Sequence, residues 1–197
     1  MRNVMDMNAL SSTQVIVIIA IVVIAIAAIA TVLIRRKNRS AGLRNKFGDP
    51  EYARVVRETG NQGRAEAKLD ARTERVEGFR IRALGQGDRA RFLEAWRKLQ
   101  ARFVDSPGGA VTEADQLVGD LMSTRGYPVN DFEQRAADIS VDHPLVIENY
   151  RSAHGIAVLQ TTGKASTEQL RQAMIHYRTL FEDLAGEPEI AMAKTAS

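Results

Sequence analysis

Val15 to Ile34 is a run of twenty residues in which Thr31 is the only polar side chain. A helix rises about 1.5 Å per residue, so this run covers about 30 Å, the thickness of a bilayer's hydrocarbon core. Helices of soluble proteins keep one polar face, and this run has none. The pattern predicts a transmembrane helix over 15–34, with Ser11, Ser12 and Thr13 placed to cap its outer end.

The flanks set an expected orientation. Before the run the charged side chains are Arg2 and Asp6; after it come Arg35, Arg36, Lys37, Arg39, Arg44 and Lys46, with no acid until Asp49. The positive-inside rule therefore places residues 1–14 outside and the long C-terminal part in the cytoplasm, in a single-pass plasma-membrane topology. A cleaved signal peptide is the rival reading, because Ala25-Ile26-Ala27 and Ala28-Ile29-Ala30 have the small-x-small form of a cleavage site. Basic residues after the run, rather than before it, favour a retained anchor. The same six cations can also rest on anionic headgroups of the bilayer.

Charge needs dividing before it is interpreted. The chain carries a formal +3, yet residues 35–79 hold 12 Lys and Arg against 7 acids, and residues 80–197 hold 14 against 16. The excess lies beside the apolar run and the remainder is mildly acidic. That distribution argues against a nucleic-acid partner, which needs a basic body. There is no cysteine, which removes a disulfide framework, a thiolate metal site and a thiol nucleophile.

Beyond the run the chain reads as helical. Gly48-Asp49-Pro50-Glu51 is a helix start with Asp49 as N-cap, and Gly60-Asn61-Gln62-Gly63 is a break. Residues 64–77 are charged, with Leu69 and Val76 seven apart and Arg72 between them. Residues 35–87 are thus expected to be a basic juxtamembrane segment and a charged helical stalk, or an arm laid on the body. Residues 88–186 are expected to form an all-α bundle of four or five helices. Phe92, Trp96, Leu99 and Phe103 make the first stripe, starting from Asp88 as cap. The second helix ends at Gly126-Tyr127-Pro128. Asn130 with Glu133 caps a short third helix through Ala137. His143-Pro144 opens a fourth, with Val146, Ile147, Tyr150, Ala153, Ala157 and Val158 inward. Ser166 with Gln169 caps a fifth, and residues 187–197 are expected to be a frayed tail. No period-2 alternation is present, so no strands are predicted.

Catalytic motifs are missing. There is no HExxH, GxSxG, GxGxxG or GxxxxGK[ST], and His143 and His154 lie eleven residues apart, too far for one metal ion on one helix. No cofactor or metal site is therefore predicted. Asp138 and Asp142 flank Ser140 near Asp131 and are read as capping residues. Trp96 reads as core, and Arg151 and Arg178 as partners of acids. Polar residues gather between 125 and 154, so Tyr127, Asp142, His143 and His154 are the candidates for any active or ligand site. His154 lies on the apolar stripe, where a satisfied core histidine is the simpler role.

Phe47-Gly48-x-x-Glu51-Tyr52, Trp96-x-x-x-Gln100-x-x-Phe103-Val104-Asp105-x-Pro107, Arg125-Gly126-Tyr127-Pro128, His143-Pro144 and Tyr150-Arg151-x-Ala153-His154 together resemble a set of uncharacterised bacterial membrane-anchored proteins. The resemblance covers about residues 44–185. It implies a bacterial inner-membrane location and carries no activity. The expected function is a membrane-tethered interaction or scaffold module, whose partner is a protein or a second copy. The alternative is an enzyme or ligand-binding domain with its site near 125–154.

Overall fold

A computed structural model describes residues 12–128 and 131–186, and among these there are eight helices and no strand. They are α1 (Ser12–Phe47), α2 (Asp49–Thr59), α3 (Gln62–Glu77), α4 (Gln86–Arg102), α5 (Pro107–Arg125), α6 (Phe132–Asp142), α7 (Ile147–Thr161) and α8 (Thr167–Gly186). Two compact units divide at Gly42 and Leu43.

The first unit holds α1 up to Gly42. The large apolar side chains of Val17 and of residues 19–34 are 49–67% exposed. Helix α1 is long and apolar enough to cross a membrane. Thr31 Oγ1 donates to the Ala27 carbonyl at 2.8 Å, which satisfies the one hydroxyl in the run without a polar neighbour.

The second unit, from Leu43 onward, has two apolar cores. In the larger, α4, α5, α7 and α8 surround Trp96, Leu121, Ile147, Tyr150, Tyr177 and Phe181, and Trp96 stacks on Phe181 with ring centres 4.8 Å apart. In the smaller, Leu43, Phe47, Tyr52, Val55, Leu69 and Val76 pack together and meet Val141 of α6. Residues 48–79 therefore do lie on the body: α2 pairs with α3, α3 with α6, and α2 with α7.

Local signals act as read at several ends. Gly60 closes α2 at φ 64°, and Asn61 caps α3 by accepting from the Arg64 N–H. Ser166 and Gln169 make the reciprocal capping box, at 2.8 and 3.2 Å. Gly126 ends α5 at φ 102°. A Cβ there would sit 2.4 Å from the Arg80 carbonyl oxygen, because the 80–82 segment runs against this corner and the Arg82 N–H donates to the Arg125 carbonyl. Gly126→Ala is expected to lower the unfolding free energy by at least about 2 kcal/mol, from positive φ and the backbone clash together. Urea unfolding with an unchanged slope checks it; a midpoint equal to wild type would show that the corner yields.

Other ends differ from the sequence reading. Gly48 and Gly85 occupy the N-cap positions, which leaves Asp49 and Asp88 in first turns where they favour the helix dipole. Asn130 lies outside the described residues; Asp131 caps α6 by accepting from the Gln134 N–H at 3.0 Å. Helix α6 continues past Ala137 to Asp142, although Asp138-Ile139-Ser140-Val141 has poor helix propensity. Burial of Ile139 and the bond from Ser140 Oγ to the Ala137 carbonyl override it. His143 ends α6 rather than opening α7, which starts at Ile147. Val158 is 51% exposed, since Ala157, one residue earlier and about 100° round the helix, takes the inward place.

Candidate functional site

Three of the four candidate residues come together. Tyr127 is the first residue past the Gly126 turn, and Asp142 and His143 form the end of α6. With Lys46, Phe79 and Arg125 among the wall residues, they line an open cleft of about 540 Å³ within the second unit. The Tyr127 hydroxyl donates to Asp142 Oδ2 at 2.8 Å. Arg125, 4% exposed, donates from Nη1 to the Leu184 carbonyl at 3.1 Å and lies 3.4 Å from His143 Nε2. A guanidinium carries only donors, so Nε2 takes the acceptor role and Nδ1–H donates to Asp183. Both imidazole nitrogens are thereby engaged, and His143 acts as a clamp between α5, α6 and α8.

His154 belongs elsewhere. Its Nδ1 donates to Asp115 Oδ1 at 3.2 Å, and its ring stacks on Phe132 with centres 3.6 Å apart. The Tyr177 hydroxyl donates to the same Asp115 oxygen at 2.7 Å. Burial pushes Asp115 up, but the bonds from His154 and Tyr177 hold its carboxyl below the ordinary range. Burial and the neighbouring Asp115 raise Tyr177 well above the ordinary phenol value. Burial pushes Tyr150 up to about 12. Neither phenol supplies a phenolate at neutral pH.

The aspartates between 131 and 142 each take a different partner. Asp131 caps, Asp142 accepts from Tyr127, and Asp138, 1% exposed, accepts from Arg75 Nε at 3.0 Å and Gln134 Nε2 at 2.7 Å. Arg151 pairs with Glu133 and Arg178 with Glu182. Among the described residues, no group of three His, Asp or Glu side chains could hold a metal ion.

The densest charge cluster was not among the candidates. Glu51 of α2 is fully buried and takes hydrogen bonds from Arg54 at 2.7 and 2.8 Å and from Arg72 at 2.6 Å. Arg151 stands 3.5 Å away, and Arg72 also donates to Ser140. Burial alone would raise the Glu51 carboxyl, but the bonds from Arg54 and Arg72 and the charge of Arg151 hold it lower than usual. Beside it the Tyr52 hydroxyl donates to Glu66 at 2.9 Å. This cluster ties α2, α3, α6 and α7 through charge rather than apolar contact. The sequence carried two signals of it, Arg72 as a cation between Leu69 and Val76 and Arg151 as a partner of acids.

The six basic residues are all exposed, Arg35, Arg36, Lys37 and Arg39 in the first unit and Arg44 and Lys46 in the second. Comparison of the chain with protein-family models, with curated proteins and with solved structures finds no match.

Proposed function

We propose that this chain is a membrane-tethered helical interaction module of a bacterial inner membrane, with its second unit in the cytoplasm and its N-terminus outside. The observation that carries the reading is the engagement of the candidate side chains. Tyr127, Asp142, His143 and His154 each hold a polar atom on a neighbour within the fold, and His143 has both ring nitrogens so engaged, which favours holding a shape over proton transfer. The basic cluster after the apolar run supports the orientation. The partner is a protein or a second copy of the chain. Isolation of the full chain from native membranes after crosslinking tests this: a reproducible crosslinked species is expected, and its absence, self-association included, counts against the module.

A second reading, a small-molecule site, has one observation in its favour, the cleft that Tyr127, Asp142 and His143 line. His143→Ala separates the two. As a clamp, His143 should cost about 1–3 kcal/mol of stability when removed, because Asp183 and the buried Arg125 lose a partner. A variant that keeps its thermal midpoint while losing a cellular phenotype would favour the ligand site. His154→Ala is expected to act through Asp115 and Phe132 in the same structural way.

A further inference from the structure

A second hollow of the C-terminal unit lies between the last residues of α1 and the face of α2 that carries Tyr52 and Val56. It measures about 420 Å³ and is lined by Arg44, Asp49, Tyr52, Val56, Arg57 and Gln62 among others. Positions 49, 52, 53, 56 and 57 fall on one face of α2 by helical spacing, so the face combines an apolar strip with a cation at its far end. Arg44 lies over the Tyr52 ring at 4.8 Å and is only loosely paired with the exposed Asp49, at 3.6 Å. Arg57 is exposed and makes no ion pair among the described residues.

We propose that this hollow holds the phosphate of an anionic phospholipid headgroup, between the guanidiniums of Arg44 and Arg57 and against the Tyr52–Val56 wall. Two planar guanidinium groups suit a phosphate, offering paired donors where lysines would offer point charges. The wall of Tyr52, Ala53 and Val56 suits the glycerol and the upper acyl carbons next to that phosphate. Arg44 follows Ile34 by only ten residues, and the intervening segment is the most basic in the chain. Tethering to a bilayer makes lipid the most concentrated phosphate compound within reach, so a site of modest intrinsic affinity is filled. The site would anchor the unit by a second attachment besides α1. It extends the tethered-module reading and depends on α1 residing in a membrane.

Native mass spectrometry of the full chain, extracted in mixed micelles with phosphatidylglycerol or phosphatidylcholine, reads this site directly. The anionic lipid should be retained about fivefold over the zwitterionic one for each arginine engaged. Arg57→Gln should lower that preference about fivefold, Arg57→Lys should restore part of it, and Arg178→Gln on α8 should leave it unchanged. Arg57 makes no ion pair among the described residues, so its replacement is expected to leave folding intact, which an unchanged thermal midpoint checks. Equal retention of both lipids, or an Arg57→Gln variant matching wild type, would overturn the proposal. Stabilisation by millimolar inorganic phosphate without any preference between lipids would overturn the lipid source and assign the hollow to a soluble phosphate compound. Failure of the chain to enter vesicles at all would instead overturn the tethered-module reading, and the two failures are therefore distinguishable.

Discussion

Glu51→Gln is expected to destabilise the C-terminal unit by about 3–5 kcal/mol, the cost of removing one partner from a buried ion cluster. The carboxylate faces three guanidiniums with unequal alternatives. Arg54 can turn to Glu58, at 3.2 Å, and Arg151 to Glu133, at 3.0 Å. Arg72, 6% exposed, keeps the Ser140 hydroxyl at 3.3 Å and the more distant charge of Glu58, and its Nε has no hydrogen-bond partner among the described residues. An amide at position 51 keeps one acceptor oxygen but turns the other oxygen into an NH2 donor facing the cations, so Arg72 loses its buried counter-charge. Urea unfolding of the detergent-solubilised chain measures the loss, and a change under about 1 kcal/mol would mean that water reaches Arg72.

The same cluster gives a pH signature of known sign. The Glu51 carboxyl is held below its ordinary value in the folded state, so the unfolded chain binds the proton more readily. Stability from this group is complete above the unfolded value and is lost as pH falls through the folded one. Asp115 and Glu58 are shifted in the same direction and add to the slope. Stability should therefore fall on acidification below about pH 4.3, and the fall should be shallower in Glu51→Gln than in wild type. Equal slopes would show that Glu51 is not held low.

Trp96→Ala carries the other large effect, about 3–5 kcal/mol. Trp96 is 5% exposed and lies nearly parallel to Phe181, at an interplanar angle of 14°. Removal loses the transfer energy of the indole and leaves a hole between α4 and α8, whose other contacts are sparse. Trp96→Phe keeps the stacking and most of the volume, and should recover more than half of the loss. Loss of the single tryptophan emission signal makes circular dichroism the appropriate probe for the alanine variant. A loss below about 1.5 kcal/mol would place α4 outside the cooperative unit.

Helix type and the apolar stripes were legible because they depend on spacing within about ten residues. The Gly126 turn, the Ser166–Gln169 box and the stripe of Phe92, Trp96 and Leu99 follow from local rules. What local rules do not carry is which distant side chains meet. Arg72 breaks a weak heptad in the sequence, and its role depends on Glu51, twenty-one residues earlier, and on Ser140, sixty-eight residues later. The packing of α2 and α3 on the body was open for the same reason, since 64–77 shows little apolar surface and is held as much by ions as by Leu69 and Val76. The candidate site was legible in part. Tyr127, Asp142 and His143 converge because a glycine turn and a helix end face one cleft, whereas His154 points from α7 toward Asp115. Arg125 and Asp183, which fix His143, gave no sign in the sequence beyond ordinary surface charge.

The most direct test of a cytoplasmic tethered module is protease accessibility of the full chain in oriented membrane vesicles. Digestion of the C-terminal unit in inside-out vesicles, with protection in right-side-out ones, is the predicted result. Digestion only in right-side-out vesicles, or recovery of the unit in the soluble fraction without α1, would contradict it.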